Sequence, residues 1–133
     1  MPFVLDASVT ASWALADENS PFAAQVATRL KSEVAFVPRI WWYEIRNLLL
    51  VNERRQRITS NDSSAYLTLL SSFPIKIDPL FDEEPIFQLA RQFRLSFYDA
   101  AYLELAQRHA IPIATLDRGL QAAAVSAGIS LLA

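Results

Sequence analysis

The stretch Phe3-Val4-Leu5-Asp6-Ala7-Ser8 sets the pattern for the rest of the chain. Three apolar residues end at an acid, and Ser8, a residue type that caps helices, follows two positions later. Val9, Trp13 and Ala16 then recur at helical spacing. The sequence therefore predicts a buried strand over 3–5 that leads directly into a helix.

The same alternation of short apolar strand and amphipathic helix continues along the chain. Further strands are predicted at 34–37, 75–78, 113–115 and 129–132. Helices are predicted at about 20–31, 40–55, 59–72, 82–93, 98–109 and 117–127. Strands this short and apolar, separated by helices, are typical of a parallel sheet covered on both faces. We therefore expect an α/β three-layer sandwich whose mainly parallel sheet has four or five strands, with helices on both faces.

The composition is that of one well-filled globular domain over 1–133. Of the 133 residues, 53% are hydrophobic and 20% are charged, which excludes a disordered chain. There is no cysteine, which excludes a thiolate nucleophile, a zinc knuckle and a disulfide scaffold and fits a reducing compartment. The amino terminus lacks the basic start and cleavage site of a secretory signal, so we expect a cytoplasmic protein without a membrane segment.

The charge balance argues against nucleic-acid binding by bulk electrostatics alone. The net charge is −2, so any polyanion has to be held by local contacts. The cations are ten arginines and two lysines, and arginine is the better bidentate partner for phosphate. A phosphate-binding role for arginine therefore stays open.

Two acids follow predicted strands at the edge of the sheet where ligands usually bind. Asp6 ends the first strand, and Asp117 lies just beyond the strand at 113–115. In an open parallel sheet, side chains converge on a ligand beyond the carboxyl ends of the strands. Each aspartate is equally well explained as a helix N-cap, which typically contributes about 1 kcal/mol.

Two further acids, Glu44 and Asp99, lie on the apolar side of their predicted helices. Glu44 comes three residues after Trp41 and shares its helix face, and burying an unpaired carboxylate is costly. The alternative for Glu44 is a buried ion pair with Arg46 or Arg94. Asp99 faces inward near the start of its helix, where the alternative is a favourable interaction with the helix dipole.

Four carboxylates in one cleft would repel one another unless a cation joined them. No lysine, histidine or cysteine belongs to the set Asp6, Glu44, Asp99 and Asp117. Hard oxygen ligands, few in number, favour Mg²⁺ or Mn²⁺ over zinc. The four acids therefore predict a divalent-metal site whose remaining positions are left to water and phosphate.

Four short segments, spread over the whole chain, carry a family resemblance through their order. They are Val4-Leu5-Asp6-Ala7-Ser8-Val9, then Pro38 with Glu44 and Asn47, then Tyr98-Asp99-Ala100-Ala101-Tyr102 with Leu105-Ala106, and last Ala114-Thr115-Leu116-Asp117-Arg118. Each segment is unspecific by itself. The ordered set resembles the PIN-domain ribonucleases and, among them, the VapC-like toxins of bacterial toxin–antitoxin pairs.

The resemblance implies roles that the residue pattern alone does not. The four acids would be the family's acidic quartet around Mg²⁺, with Ser8 and Thr115 as hydroxyl neighbours of the metal site. Asn47, one helical turn after Glu44, would orient that glutamate. The resemblance further implies an endoribonuclease that acts as a toxin on RNA, a homodimer, and a partner antitoxin whose C-terminal segment blocks the groove.

Arginines are the candidates for gripping RNA around the acidic site. Three of them lie near the acids in sequence, namely Arg39, Arg46 and Arg118. Three more cluster between two predicted helices, namely Arg54, Arg55 and Arg57. The cluster is equally well explained as a solvated helix end, where cations complement the helix dipole.

Three other classes of protein are alternatives to a nuclease. A non-catalytic binding module would use the acids to hold a structural ion and would act by associating with its partner. A receiver-like phosphoacceptor domain needs paired acids after the first strand and a lysine after a late strand, but this chain has Asp6 alone, with Lys31 and Lys76 as its lysines. A phosphatase with an aspartate nucleophile needs a second aspartate where Ser8 stands.

Overall fold

A computed structural model describes residues 1–15, 18, 20–79 and 82–133 of the chain. Strands and helices alternate through these residues, as the sequence predicts. The strands are β1 Phe3–Leu5, β2 Ala35–Val37, β3 Ile75–Ile77 and β4 Ile113–Ala114. The helices are α1 Ala7–Ala14, α2 Pro21–Arg29, α3 Arg39–Arg54, α4 Ser60–Ser71, α5 Glu83–Phe93, α6 Phe97–His109 and α7 Arg118–Ser126.

The strands form one parallel sheet in the order β3-β2-β1-β4. Val4 lies near its centre, paired with Phe36 of β2 on one side and Ile113 of β4 on the other. All residues of β1 are fully buried, as expected for a central strand that helices cover on both faces. The predicted α/β sandwich with a parallel sheet is thereby confirmed.

The fifth strand predicted at 129–132 is reduced to a single bridge, which corrects that expectation. Leu131 pairs in parallel with Ile113. The N–H of Ile113 donates to the carbonyl of Ser130 at 3.0 Å, and Leu132 donates to the carbonyl of Ile113 at 2.9 Å. Because β4 itself has only two residues, the ladder beside it cannot extend.

Helix boundaries follow local capping signals. Ser20 caps α2 through the N–H of Ala23, and Pro21 occupies the first turn. α1 ends at Ala14; Ala16, predicted on this helix, lies outside the described residues. In the part of the chain that the structure describes, no helix is long and apolar enough to cross a membrane.

One hydrophobic core fixes the helices that carry the candidate acids. α3 packs on α1, while α6 packs across β1, β2 and β4. Val9 of α1, Ile45 of α3 and Leu103 of α6 are all fully buried in this core. Since such interiors are closely packed, the core sets the positions of α3 and α6 relative to the strand ends.

Candidate active site

Asp6 follows β1 and is almost completely buried, with 5% of its surface exposed. Its Oδ2 accepts hydrogen bonds from Ser8 Oγ at 2.6 Å and from Thr115 Oγ1 at 2.7 Å. Thr115 follows β4, and because β1 and β4 are adjacent and parallel, the residues after them meet at one edge of the sheet. Burial raises the pKa of Asp6, and the bonds from Ser8 and Thr115 offset part of that rise.

The two hydroxyl groups also hold the segment that leads to Asp117. Leu116 N–H donates to Ser8 Oγ at 2.9 Å, and Asp117 N–H donates to Thr115 Oγ1 at 3.0 Å. Ser8 and Thr115 are themselves 3.4 Å apart. Each of the two hydroxyl groups therefore donates to Asp6 and accepts from a backbone N–H of the segment that follows β4.

Asp117 is exposed and caps α7. Its Oδ1 accepts a 3.0 Å hydrogen bond from the N–H of Leu120, so the capping role considered from the sequence is present. Asp6 stands at the corresponding position before α1, but its side chain makes no capping bond there. The two strand-end aspartates thus differ, since Asp6 points its carboxylate at Ser8 and Thr115 instead.

Glu44 is half-buried on α3 and is held from the neighbouring helix α6. The hydroxyl of Tyr102 donates a 2.7 Å hydrogen bond to Glu44 Oε1. Within the described residues no ion pair joins Glu44 to an arginine; Arg46 instead stacks on Trp42, 4.1 Å from the ring centre. Burial raises the pKa of Glu44, the Tyr102 bond lowers it, and the carboxylates of Asp6 and Asp99 raise it further.

Asp99 lies half-buried in the first turn of α6. Its N–H donates to Ser96 Oγ at 3.1 Å, which fixes the start of the helix. Burial raises the pKa of Asp99, and the carboxylates of Asp117 and Asp6 raise it further. The residue therefore interacts with the other acids as well as with the helix end.

These pKa shifts join the four predicted acids into one electrostatic group. The carboxylates of Asp6 and Asp99 raise the pKa of Glu44. Those of Asp117 and Asp6 raise the pKa of Asp99. Among the described residues, none of the four forms an ion pair with a lysine, arginine or histidine. The cluster therefore carries uncompensated negative charge, which favours a bound cation.

The acids do not form a ready-made metal cage within the described residues. In the described part of the chain, no three His, Cys, Asp or Glu side chains are placed so that they hold a metal ion by themselves. Mg²⁺ usually keeps several waters and binds through one or two carboxylates together with substrate phosphate. An open group of carboxylate oxygens therefore fits Mg²⁺ or Mn²⁺ and does not fit a structural zinc or caged calcium.

Comparison with known proteins identifies the family. The family model described as PIN domain matches residues 3–126. The chain belongs to the PIN domain family. Exonuclease VapC9 of Pyrobaculum aerophilum is 36% identical over 81 residues, which are 60% of this chain and 59% of VapC9. This PIN domain thus aligns with less than two thirds of the length of that curated relative.

Solved structures share the PIN fold over nearly the whole chain. PAE2754 from Pyrobaculum aerophilum is 23% identical with a TM-score of 0.74, covering 92% of this chain and 84% of its own. VapC20 from Mycobacterium tuberculosis, described as a sarcin–ricin loop cleaving toxin, is 15% identical with a TM-score of 0.60, covering 91% and 94%. FitAcB from Neisseria gonorrhoeae is 17% identical with a TM-score of 0.64, covering 100% and 97%. The predicted membership in the PIN domain family is confirmed, and two of the similar proteins carry the name VapC.

A cavity of about 420 Å³ opens beside Glu44 in this PIN domain. Two of the three clustered arginines, Arg55 and Arg57, line it together with Asn47. Arg57 also donates to Asn52 at 3.0 Å. Glu44 therefore lines the same cavity as Arg55 and Arg57, which follow α3 in the sequence. Arg54 is not part of the lining.

The other predicted arginines have different surroundings. Arg39 is exposed and donates to the carbonyl of Pro79 at 3.1 Å. Arg46 stacks on Trp42, as described above, and burial lowers the pKa of its guanidinium group. Arg118 is exposed and opens α7 directly after Asp117, so its backbone adjoins the acidic cluster.

The sequence pattern did not identify Tyr102 as a residue that contacts Glu44 at this site. By spacing it belongs to the apolar stripe of α6, and it is fully buried. Asn47, predicted to orient Glu44, is exposed and makes no hydrogen bond to Glu44 within the described residues. The available signal was the interval of three residues between Asp99 and Tyr102, which places both on one side of a helix.

Proposed function

We propose that this PIN domain is an Mg²⁺- or Mn²⁺-dependent endoribonuclease that acts as the toxin of a toxin–antitoxin pair in the cytoplasm. The observation that carries the proposal is the electrostatic group formed by Asp6, Glu44, Asp99 and Asp117, which lacks an ion-paired cation in the described residues. Membership in the PIN family and the nuclease names of two similar proteins support the same reaction class.

The chain's own residues would divide the work of the site. Asp6, Asp99 and Asp117 would hold the ion, directly or through its bound waters, and Glu44 would bind it in the same way. When bound, a divalent cation supplies a water of lowered pKa and positive charge beside the phosphodiester. Ser8 and Thr115 would keep Asp6 in place, because their hydroxyl groups occupy its Oδ2.

RNA would be held by arginines around the acids. Arg55 and Arg57 share the cavity of Glu44, and guanidinium groups bind phosphate well. Arg39, Arg46 and Arg118 would add contacts along the edge of the site. Local binding of this kind is needed because the chain as a whole is acidic, with a net charge of −2.

The test is cleavage of defined RNAs by the purified chain with Mg²⁺ or Mn²⁺, and again with EDTA. Cleavage should require the metal, and Glu44→Ala should lose about 100-fold or more in rate, the upper part of the range for altered metal surroundings. The exposed Arg91, on α5, offers a control, since Arg91→Gln should cleave normally. Metal-independent cleavage, or normal cleavage by Glu44→Ala, would contradict the proposal; mapped product ends distinguish internal from terminal cuts.

A non-catalytic interaction module is the second candidate, favoured by exposed aromatic side chains. Tyr43 and Tyr98 are 65% and 57% exposed, and they border a cavity of about 340 Å³ whose walls are largely apolar. Apolar surface of this kind marks interaction sites. A chain that binds Mn²⁺ but cuts none of the RNAs tested would favour this candidate over the nuclease.

Two apolar surfaces, the face beside Tyr43 and Tyr98 and a second groove, support the proposed protein partners. We expect a homodimer that covers the face of Tyr43, Phe97 and Tyr98. We expect an antitoxin segment in the groove of about 370 Å³ beside Trp13 and Phe73. Light scattering of the purified chain tests the dimer, and co-expression with the product of the adjacent gene tests the antitoxin; a monomer, or a product that neither binds nor inhibits, would contradict them.

A further inference from the structure

We propose that Tyr102 is a positioning residue that holds the carboxylate of Glu44 at the metal site, an inference that rests on the proposed function. Tyr102 is fully buried, yet its hydroxyl donates a 2.7 Å hydrogen bond to Glu44 Oε1. Within the described residues, Tyr102 is the largest of the fully buried side chains. The core therefore sets the position of the ring and, through it, the position of the hydroxyl group.

The hydroxyl of Tyr102 joins two helices that carry acids. Tyr102 lies on α6, one turn after Asp99, and its partner Glu44 lies on α3. One buried hydroxyl group thus links α6, which carries Asp99, to α3, which carries Glu44.

The hydrogen bond from Tyr102 engages one of the two carboxylate oxygens of Glu44 and leaves the other for the ion. Because Tyr102 engages Oε1 of Glu44, Oε2 remains as the oxygen that would face a metal or its water. In this bond the hydroxyl of Tyr102 is the donor and the carboxylate of Glu44 is the acceptor. Partners of this type orient metal-binding side chains and typically contribute about 10- to 100-fold to metal affinity.

Tyr66 provides a matched comparison within the same chain. It is also buried, with 7% exposure, and its hydroxyl donates to the carbonyl of Thr10 rather than to an acid. Tyr66→Phe and Tyr102→Phe each remove one buried hydroxyl and its hydrogen bond. A merely structural role for Tyr102 predicts similar consequences for both variants, whereas a positioning role predicts a change in metal binding for Tyr102→Phe alone.

The experiment measures Mn²⁺ affinity by isothermal titration calorimetry for wild type, Tyr102→Phe and Tyr66→Phe, with urea unfolding to verify folding. Tyr102→Phe should weaken Mn²⁺ binding about 10- to 100-fold and leave no further effect in a Glu44→Gln background, while Tyr66→Phe should bind like wild type. In RNA cleavage, Tyr102→Phe should need correspondingly more Mn²⁺, and excess Mn²⁺ should restore most of the rate. Wild-type affinity in Tyr102→Phe, or an equal loss in Tyr66→Phe, would overturn the inference.

A measurement on the wild-type chain keeps the inference testable if Tyr102→Phe does not fold. The buried hydroxyl proton of Tyr102 should exchange slowly and give an NMR signal that moves when Mg²⁺ is added; an unmoved signal at saturating Mg²⁺ would overturn the positioning role. Failure of the nuclease function is a separate result, since the wild-type chain would then cut no RNA even if it binds Mn²⁺, and the comparison of Mn²⁺ affinities would still test Tyr102. An active wild type with an unaffected Tyr102→Phe would remove the role of Tyr102 alone.

Discussion

Thr115 Oγ1 donates a 2.7 Å hydrogen bond to Oδ2 of Asp6, a residue 109 positions earlier in the chain. The bond joins the residues that follow β1 and β4, two strands that end side by side at this edge of the sheet. It is made to a buried carboxylate, and hydrogen bonds to charged groups are typically worth about 1.5 to 3 kcal/mol. Thr115 therefore links the packing of the sheet to the placement of the first acid.

Thr115→Val keeps the shape of the side chain and removes this bond. We expect a loss of about 10- to 100-fold in Mn²⁺ affinity, because the orientation of Asp6 is no longer fixed. Calorimetric titration with Mn²⁺ measures the effect. Thr68→Val is the control, since Thr68 is an exposed threonine on α4 that donates to the carbonyl of Ser64. Equal affinities for the two variants would show that Thr115 plays no part in metal binding.

Asp99→Asn removes one charge from the acidic cluster. Cleavage activity should be lost, and the metal-free protein should become more stable by roughly 0.5 to 2 kcal/mol, the range usual for improved charge placement. The reason is that Asp99 is repelled by Asp117 and Asp6. Urea unfolding in EDTA and RNA cleavage in Mg²⁺ measure the two effects. Cleavage at the wild-type rate in excess Mg²⁺ would refute the role assigned to Asp99.

The stability of the metal-free protein should depend on pH through the same acids. Folding raises the pKa of Asp6, Glu44 and Asp99 above their ordinary values. A carboxyl group with a raised pKa stabilises the folded state below its unfolded pKa, and this contribution is lost as pH rises through the folded pKa. The advantage of Asp99→Asn over wild type in EDTA should therefore be large at neutral pH and should shrink as pH falls toward about 4. An advantage independent of pH would exclude charge repulsion as its cause.

Arg55 and Arg57 should contribute to RNA binding through phosphate contacts. With both changed to glutamine, the dependence of binding on salt should become shallower by about 1.4 in logarithmic slope, twice the value of about 0.7 expected per contact on a single strand. Fluorescence anisotropy with a labelled RNA at several salt concentrations measures this slope, using Glu44→Ala protein in both arms to prevent cleavage. Arg91→Gln in the same background is the control. An unchanged slope would leave the two arginines as ordinary surface residues.

The sequence predicted the order of the elements because each strand is a short apolar run and each helix keeps its spacing. It failed at 129–132, where the apolar run looks like a strand but the neighbouring β4 is only two residues long. Strand extent at a sheet edge depends on the partner strand, and the local pattern does not contain that information.

For the candidate site, the sequence pattern placed acids at strand ends and on inward helix faces, but it did not find the hydroxyl that holds Glu44. Tyr102 reads as an apolar residue of α6, and its contact with α3 spans 58 positions. Such a bond follows from how two helices pack, which residue spacing within either helix does not reveal. The placement of Asn47 on the exposed side of α3 depends on the same packing.

Crystals of the wild-type chain grown with Mn²⁺ test the central claim, that the four carboxylates share a divalent cation. Anomalous diffraction should show manganese among Asp6, Asp99, Asp117 and Glu44, bound to these carboxylates directly or through water. Manganese found only elsewhere on the protein, or none at a Mn²⁺ concentration that supports RNA cleavage, would contradict the claim.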